Sequence, residues 1–197
     1  MRLTLLISLY AGLAFAAEIP ASRSIDLGKS SSKVEFLAVG KPSMLNIRGT
    51  AKPEGEAKPL EGNLSLKGDT LSGSAKFALD TLDTGIGMRN RHMKEKYLET
   101  AKFPKAEFAL TEMKVPADLQ KGNGSAKDLP FTGTLTIHGV AQPVKGLAKM
   151  ERKEGKANFS FDFGTKIPAH KIELPSFMGV TLHEDVKITV EVEGPLT

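Results

Sequence analysis

The chain of 197 residues contains no cysteine and no tryptophan, and it has only two tyrosines. Without cysteine the protein forms no disulfide, binds no metal through thiolates and lacks the residue that carries the lipid of a bacterial lipoprotein. The absence of thiols also suits an oxidising compartment, either the periplasm or the external medium. We therefore expect a freely soluble, exported protein.

Long apolar runs are scarce, and one of them stands at the N-terminus. Met1 and Arg2 precede the apolar residues 3–14, and the small-residue pattern Ala14-Phe15-Ala16 follows. This is the layout of a secretory signal, so we predict that residues 1–16 are a signal peptide cleaved after Ala16. The run is shorter than the roughly 20 residues of a membrane-spanning helix, which makes a permanent anchor the weaker alternative.

Cleavage would leave residues 17–197, a length that suits one domain with a sizeable core. The chain has 27 basic and 23 acidic residues, and the signal removes only Arg2, so the mature net charge is +3. This weak charge is dispersed along the chain, which argues against nucleic-acid binding.

Signatures of catalysis and metal binding are missing as well. The sequence has no Gly-x-Ser-x-Gly pattern and no phosphate-binding glycine loop. His138, His170 and His183 form no His-x-His or His-x-x-x-His pair, and we expect His138 to make a structural hydrogen bond and His183 an exposed ion pair. We predict no catalytic residues, no metal and no cofactor, although a catalytic group assembled in space from scattered residues stays open.

Alternation of apolar and polar residues predicts strands along most of the chain. It is clearest in residues 131–138, 157–163 and 186–192, where every second residue is apolar. Weaker strands are predicted at residues 33–39, 45–51, 60–67, 71–79, 105–113 and 142–152, with a hairpin tip at Gly68-Asp69. Eight or nine short strands with little helix indicate an all-β barrel or sandwich, and an even series of hairpins favours the barrel.

One segment interrupts this alternation. Residues 88–98 are rich in helix formers and predict a short helix, while residues 168–179 form an irregular stretch that we expect to cover one mouth of the barrel. The helix carries the densest polar cluster of the chain: Arg89, Asn90, Arg91 and His92. Guanidinium groups beside an imidazole suit an anionic head group, but a solvated helix face is the alternative, above all for Arg91.

The strands also carry large apolar side chains on single faces. They are either an ordinary core or the wall of an interior tunnel, and a barrel of this size admits both. The candidate wall residues are Phe77, Phe108, Phe131, Leu135, Ile137, Phe159, Phe161, Phe163 and Phe177.

Three ordered motifs resemble those of the YceI-like proteins. The motifs are TGIGMRNRHM at residues 84–93 with Tyr97-Leu98 and Phe103-Pro104, GTLTIHGV at residues 133–140 with Pro143-Val144, and PSFMGV at residues 175–180 with Asp185-Val186. The resemblance implies an all-β fold, a single eight-stranded antiparallel lipocalin-like β-barrel with a short helix near residues 89–98. It also implies export to the periplasm and a polyisoprenoid or other lipid bound in the apolar interior.

Carried over residue by residue, the resemblance places Arg89 and His92 near the mouth and the phenylalanine faces in the tunnel wall. One position departs from the family, which often has Asp directly after the first Arg of the motif, where this chain has Asn90. The departure leaves the architecture unchanged and bears on the preference for a head group.

The leading hypothesis is an exported protein that shields a long-chain isoprenoid or fatty lipid as carrier, store or scavenger, without a stable membrane anchor. A secreted interaction module without bound lipid and an enzyme acting on an isoprenoid lipid are the alternatives. The sequence leaves open the identity of the lipid and whether the protein is a monomer or a homodimer.

Overall fold

Antiparallel strands dominate the computed structural model, which describes residues 22–41, 46–52, 60–177 and 179–197. The predicted signal peptide and its cleavage site lie outside the described residues, as do Leu45 and the side chain of Phe177. The described strands are β1 Ser22–Asp26, β2 Ser31–Lys41, β3 Asn46–Ala51, β4 Leu60–Lys67, β5 Thr70–Ala78, β6 Leu82–Asp83, β7 Lys105–Lys114, β8 Gly124–Ile137, β9 Val140–Lys153, β10 Lys156–Lys166, β11 Ser176–Phe177 and β12 Val180–Pro195.

The strands belong to one curled sheet with the order β1-β4-β5-β7-β8-β9-β10-β12-β2-β3-β6, and β11 pairs with β12. Hydrogen bonds tie both edges of this sheet to its opposite side. At one edge Ser24 of β1 exchanges two backbone hydrogen bonds with Thr197, which follows β12. At the other edge β6, which continues the chain from β5, pairs with β3 through Thr50 and Asp83. The sheet therefore encloses an interior, as the lipocalin-like barrel prediction requires.

The all-β fold is confirmed, whereas the predicted strand number of eight is too low for the twelve strands of the described residues. The long strands occur where alternation predicted them, and residues 68 and 69 form the turn between β4 and β5. The additional strands β1, β6 and β11 have five, two and two residues. β1 and β6 form because the distant strands β4 and β3 supply their hydrogen-bond partners, and β11 is a two-residue partner of the strand that follows it, β12. Neither situation leaves an alternating pattern in the sequence.

The predicted helix is also present. Helix α1, Gly87–His92, continues directly into a π-helical turn, Met93–Tyr97, whose last bond runs from the Leu98 N–H to the Met93 carbonyl over 2.8 Å. Met93 and Leu98 pack against the core of the barrel. A second helix, α2 at Ala117–Lys121, was not predicted, because it is a single turn between Pro116 and Gly122.

Phenylalanine rings lie over glycines of adjacent strands in the barrel interior. A Cβ atom added to Gly146 would stand 2.6 Å from the ring of Phe131, and one added to Gly49 would stand 2.2 Å from the ring of Phe36. Each of these glycines is the register partner of its phenylalanine. The glycines thus give room to aromatic rings, which cover the backbone that a glycine leaves bare.

This packing predicts that Gly146→Ala lowers the free energy of unfolding by about 1–3 kcal/mol, the usual cost of overpacking. The new methyl group would approach the Asp162 carbonyl oxygen to 2.3 Å as well as the Phe131 ring. Denaturant unfolding followed by circular dichroism measures the change. The control is Gly164→Ala on β10, where the nearest atom to an added Cβ is 3.4 Å away, and we expect a change of about 0.5 kcal/mol or less. Equal losses in both variants would contradict the packing explanation.

Candidate functional site

A cavity of about 570 Å³ occupies the interior of the curled sheet. Its wall is built almost entirely from apolar side chains. They face inward because successive side chains of a strand alternate between its two faces. The residues with polar side chains that border the cavity are Glu35, Thr84, Arg89, His92, Tyr97, Glu107, Thr165, His170 and Ser176. This volume lies within the range of about 300–1,000 Å³ that is typical of small-molecule sites.

Strand β12 shows the shape of the cavity. Val186, Ile188, Val190 and Val192 all line the cavity, whereas the intervening Lys187 and Glu191 are exposed on the outer face. The distance from the first to the last of these valines is about 20 Å, since each strand residue advances roughly 3.3 Å. The cavity is therefore elongated along the strands.

Phenylalanines cluster in the interior on β7, β8 and β10, and β10 lies directly beside β12, where Phe161 is the register partner of Val190. Their rings contact one another in a chain, with centroids 5.3 Å apart for Phe108 and Phe163, 5.4 Å for Phe131 and Phe161, and 5.8 Å for Phe159 and Phe161. Phe108, Phe161 and Phe163 of this aromatic cluster form part of the cavity wall.

The cavity contacts six of the nine predicted wall residues: Phe77, Phe108, Leu135, Ile137, Phe161 and Phe163. Phe131 and Phe159 do not line it, contrary to the prediction. They are buried at 2% and 1% exposure, in contact with the rings of Phe161 and Phe163, which do line the cavity. The aliphatic residues of β12 were missing from the predicted wall, although their alternation was recognised in the sequence.

Helix α1 and the loop before it stand at one end of the cavity. Ile86 and Met88 line the cavity and are nevertheless exposed by 53% and 63%, so they mark its opening. Tyr97 lines the same end, and its hydroxyl accepts a hydrogen bond of 3.4 Å from the Ser176 N–H. This contact joins the helical segment to residues 168–179, the stretch that the sequence predicted to cover one mouth of the barrel.

Of the four predicted head-group residues, Arg89 and His92 line the cavity, and Asn90 and Arg91 do not. Arg89 is half-buried, and its guanidinium donates to the Thr84 hydroxyl at 2.8 Å and to the Thr84 carbonyl at 2.6 Å. Within the described part of the chain, no carboxylate forms an ion pair with Arg89. Its positive charge is therefore held at the mouth by neutral partners.

Asn90 has a structural role instead. Its side-chain carbonyl accepts hydrogen bonds from the Thr84 N–H at 2.8 Å and from the Thr84 hydroxyl at 2.6 Å, and its amide donates to Asp83 at 2.7 Å. Hydrogen bonds from Lys52, the Gly85 N–H and the Asn90 amide hold the pKa of Asp83 well below its usual range. Asn90 thus fastens helix α1 to the end of β6, while Arg91 is exposed on the outer face of the helix.

A buried polar pair in the wall was not predicted. His170, only 1% exposed, lies with its Nδ1 3.0 Å from the Val140 carbonyl oxygen and its Nε2 2.7 Å from the Thr165 hydroxyl. Because a carbonyl only accepts, Nδ1 carries the proton, and in the neutral ring Nε2 accepts from Thr165. The two groups satisfy each other, and the sequence spacing of five residues gave no indication of this pairing.

The remaining histidines have the structural partners that the sequence led us to expect. His138 contacts Glu99 at 2.7 Å and the ring of Phe103 at a centroid distance of 4.3 Å, and His183 pairs with Asp185 at 3.0 Å. Among the described residues, no three His, Asp or Glu side chains are close enough together to hold a metal ion. No helix among the described residues is long and apolar enough to cross a membrane.

This arrangement can hold an elongated apolar molecule along the strands, with a polar end among cationic and hydroxyl groups at the mouth. What the cavity can bind follows from the separation of apolar groups in its interior from charged groups at its mouth. The apolar wall excludes water, and the charged groups stay near the solvent, where their desolvation costs least.

Several solved structures have the same fold. BcnA of Burkholderia cenocepacia superimposes with a TM-score of 0.65 at 20% identity, over 86% of this chain and 99% of that one. A polyisoprenoid-binding domain of Saccharophagus degradans gives 0.65 at 16% identity, over 90% and 99%. The Campylobacter jejuni YCEI protein gives 0.61 at 14% identity, over 99% and 98%. At these identities the similarity concerns the fold.

Curated sequences give closer matches over shorter stretches. A UPF0312 protein of Enterobacter sp. strain 638 is 32% identical over 120 residues, which cover 58% of this chain and 57% of that protein. The YceI protein of Salmonella arizonae is 29% identical over 120 residues, which cover 58% of each chain. The chain thus matches a little over half the length of these relatives.

The family model described as the YceI-like domain matches residues 26–194, a stretch that contains all three motifs noted in the sequence. The resemblance inferred from those motifs is therefore confirmed. By this match over most of its length, the chain belongs to the YceI-like family.

Proposed function

We propose that this protein binds a long-chain polyisoprenoid or a similar apolar lipid inside its curled sheet. The observation that carries the proposal is the elongated cavity of about 570 Å³ with its apolar wall. Membership of the YceI-like family supports it, as does the shared fold with a solved domain described as polyisoprenoid-binding. The ligand's chain would lie along β10 and β12, in contact with Phe161 and Phe163 and with the aliphatic side chains of β12.

The hydrophobic effect is large enough to retain such a ligand. Burying an apolar chain of about 20 carbons gains on the order of 16 kcal/mol at roughly 0.8 kcal/mol per CH₂. Association costs about 4–15 kcal/mol in lost freedom of motion. The difference favours the bound state, so we expect slow release and co-purification of the ligand.

The polar end of the ligand belongs at the mouth in this proposal. Arg89 presents a guanidinium there, which binds phosphate and carboxylate oxygens through paired N–H groups. His92 lines the same end. A lipid with an anionic head group would therefore enter with its apolar end first and leave the head group beside α1.

Binding without chemical conversion is the function that these residues favour. The polar pair in the wall, Thr165 and His170, is engaged in hydrogen bonds within the protein. We further propose that the protein is exported and serves as carrier, store or scavenger of its lipid. The N-terminal residues 1–16, with their signal-like order of charge, apolar run and small residues, support export.

The first prediction concerns occupation of the cavity. Ile188→Trp places a larger side chain in the cavity from β12 and should lower affinity for an added long-chain isoprenoid at least about tenfold, since it removes room that the ligand needs. The matched control is Lys187→Trp, which faces outward on the same strand. Ligand binding is measured by the rise in melting temperature on titration, and organic extraction with mass spectrometry identifies what co-purifies.

Wild-type protein should yield an extracted lipid and gain thermal stability from added isoprenoid, and the Lys187→Trp variant should behave in the same way. If folded wild type yields no lipid and is not stabilised by any isoprenoid, the interior does not bind lipid and the proposal fails.

The second prediction concerns the head group. Arg89→Ala should weaken binding of an isoprenyl phosphate by about 1.5–3 kcal/mol, the scale of a hydrogen bond to a charged group. Binding of the matching isoprenyl alcohol should change much less, because the alcohol carries no charge. Titration of both lipids into wild type and variant measures the difference. Equal losses for both lipids would show that Arg89 acts through its bonds to Thr84 and the shape of the mouth.

The third prediction concerns export. Intact-mass measurement of protein from the periplasmic fraction should give a chain that begins at Ala17. A species that retains residues 1–16 and sediments with membranes would show that the segment is an anchor. An Ala14→Asp, Ala16→Asp variant, which removes the small residues before the cleavage site, should accumulate uncleaved and serves as the reference for the longer form.

A further inference from the structure

At the mouth of the cavity, two exposed apolar side chains are followed along the same helical segment by three cationic ones, of which Arg91 and Lys96 are exposed and Lys94 is half-buried. We call Ile86, Met88, Arg91, Lys94 and Lys96 the mouth rim. Ile86 and Met88 are among four large apolar side chains of the described residues with marked solvent exposure, and both also line the cavity. The rim is therefore continuous with the proposed binding site.

Among the residues that the structure describes, the cationic groups of the rim have no carboxylate partner, in contrast to nine of the eighteen other lysines. Many described lysines pair with a carboxylate of another strand or loop, for example Lys105 with Glu61 at 2.8 Å and Lys114 with Asp69 at 3.0 Å. Within the described part of the chain, Arg91, Lys94 and Lys96 form no such ion pair. Lys96 instead lies 5.2 Å from the centroid of the Tyr97 ring.

Acidic residues are sparse around the rim. Residues 84–98 contain four basic residues, Arg89 included, and a single acidic one, Glu95. Glu99 follows, but its contacts with Lys102 at 2.5 Å and His138 at 2.7 Å occupy it. The segment thus presents a local excess of positive charge to whatever approaches the opening.

We propose that the mouth rim docks on the surface of an anionic phospholipid membrane, an inference that rests on the proposed lipid-binding function. Lysine and arginine next to exposed apolar side chains are the combination that binds the interface of an anionic bilayer. The rim's charge complements anionic head groups, while Ile86 and Met88 insert among the acyl chains.

The position of the rim explains why a lipid surface suits it better than another partner. An apolar ligand that leaves a bilayer through water exposes its whole chain, at a cost proportional to the exposed area. A cavity whose mouth touches the bilayer removes that step, because the chain passes from the acyl region into the apolar wall. Docking at the opening thus serves uptake directly, which a protein partner at this position would not do.

Vesicle sedimentation tests the docking. Wild-type protein should bind vesicles of phosphatidylglycerol and phosphatidylcholine, bind vesicles of phosphatidylcholine alone far more weakly, and lose affinity as salt rises. Each basic residue near an anionic surface contributes a factor of roughly 5. The triple variant Arg91→Ala, Lys94→Ala, Lys96→Ala should therefore bind anionic vesicles on the order of 100-fold more weakly. The pair Ile86→Ser, Met88→Ser should lose about tenfold.

The outer face of β9 offers a matched control with the same chemistry away from the mouth. Leu147 is exposed by 49% there, among the exposed Lys145, Lys149 and Lys153. A variant with these three lysines changed to alanine has the same loss of net charge as the rim variant, and Leu147→Ser matches the apolar change. Both should retain wild-type vesicle binding. If they lose as much as the rim variants, the docking surface is not at the mouth and the proposal is overturned.

The remaining outcomes separate docking from lipid binding. Wild type that takes up isoprenoid from detergent solution yet ignores anionic vesicles would overturn the docking proposal alone. Wild type that sediments with vesicles yet binds no isoprenoid would overturn the proposed function. If wild type ignores vesicles and instead forms a dimer that Met88→Ser dissociates in analytical ultracentrifugation, the rim is an interface between two copies of this chain.

Discussion

The interior of this protein depends on hydrogen bonds that tie the two edges of its sheet to the opposite side. A sheet edge exposes unpaired N–H and C=O groups, which need partners. Here Thr197, after β12, bonds with Ser24 of β1, and β6 pairs with β3 after continuing the chain from β5. These contacts lie far apart in sequence and fix the curvature. Without them the inward side chains would face solvent, and the cavity would have no enclosing wall.

Within this frame, the sizes of side chains decide where space remains. On β7, β8 and β10, phenylalanine rings fill the interior, and some rest on glycine backbone of the adjacent strand, as Phe131 does on Gly146. On β12 the inward positions carry Val186, Ile188 and Val190, which reach less far. The cavity borders both the large aromatic side chains and the smaller aliphatic ones, which meet where β10 pairs with β12. Its shape thus follows from an uneven distribution of large residues around a regular sheet.

Alternation in the sequence was sufficient to place the long strands, because a half-buried strand repeats its burial every second residue and needs no knowledge of its partner. It also gave the face to which Phe159 and Phe161 belong. Alternation could not predict how far along the barrel a side chain lies, because this position depends on register with β9 and β12. It therefore did not separate the buried Phe159 from Phe161, which lines the cavity. The pairing of β1 with the distant β4 likewise left no local pattern, and the five-residue spacing of Thr165 and His170 did not indicate their contact.

The polar residues of the mouth divide into those that hold the backbone and those that face the cavity, and Asn90 shows why composition alone misassigns them. Its amide donates to Asp83, so an aspartate at this position would bring a second carboxylate to a distance near 2.7 Å. Two such groups repel when both are ionised, and the low pKa of Asp83 keeps it ionised at neutral pH. Asn90 is therefore the residue type that fits beside Asp83. The departure from the family motif alters the attachment of α1 and leaves the guanidinium of Arg89 in place at the cavity.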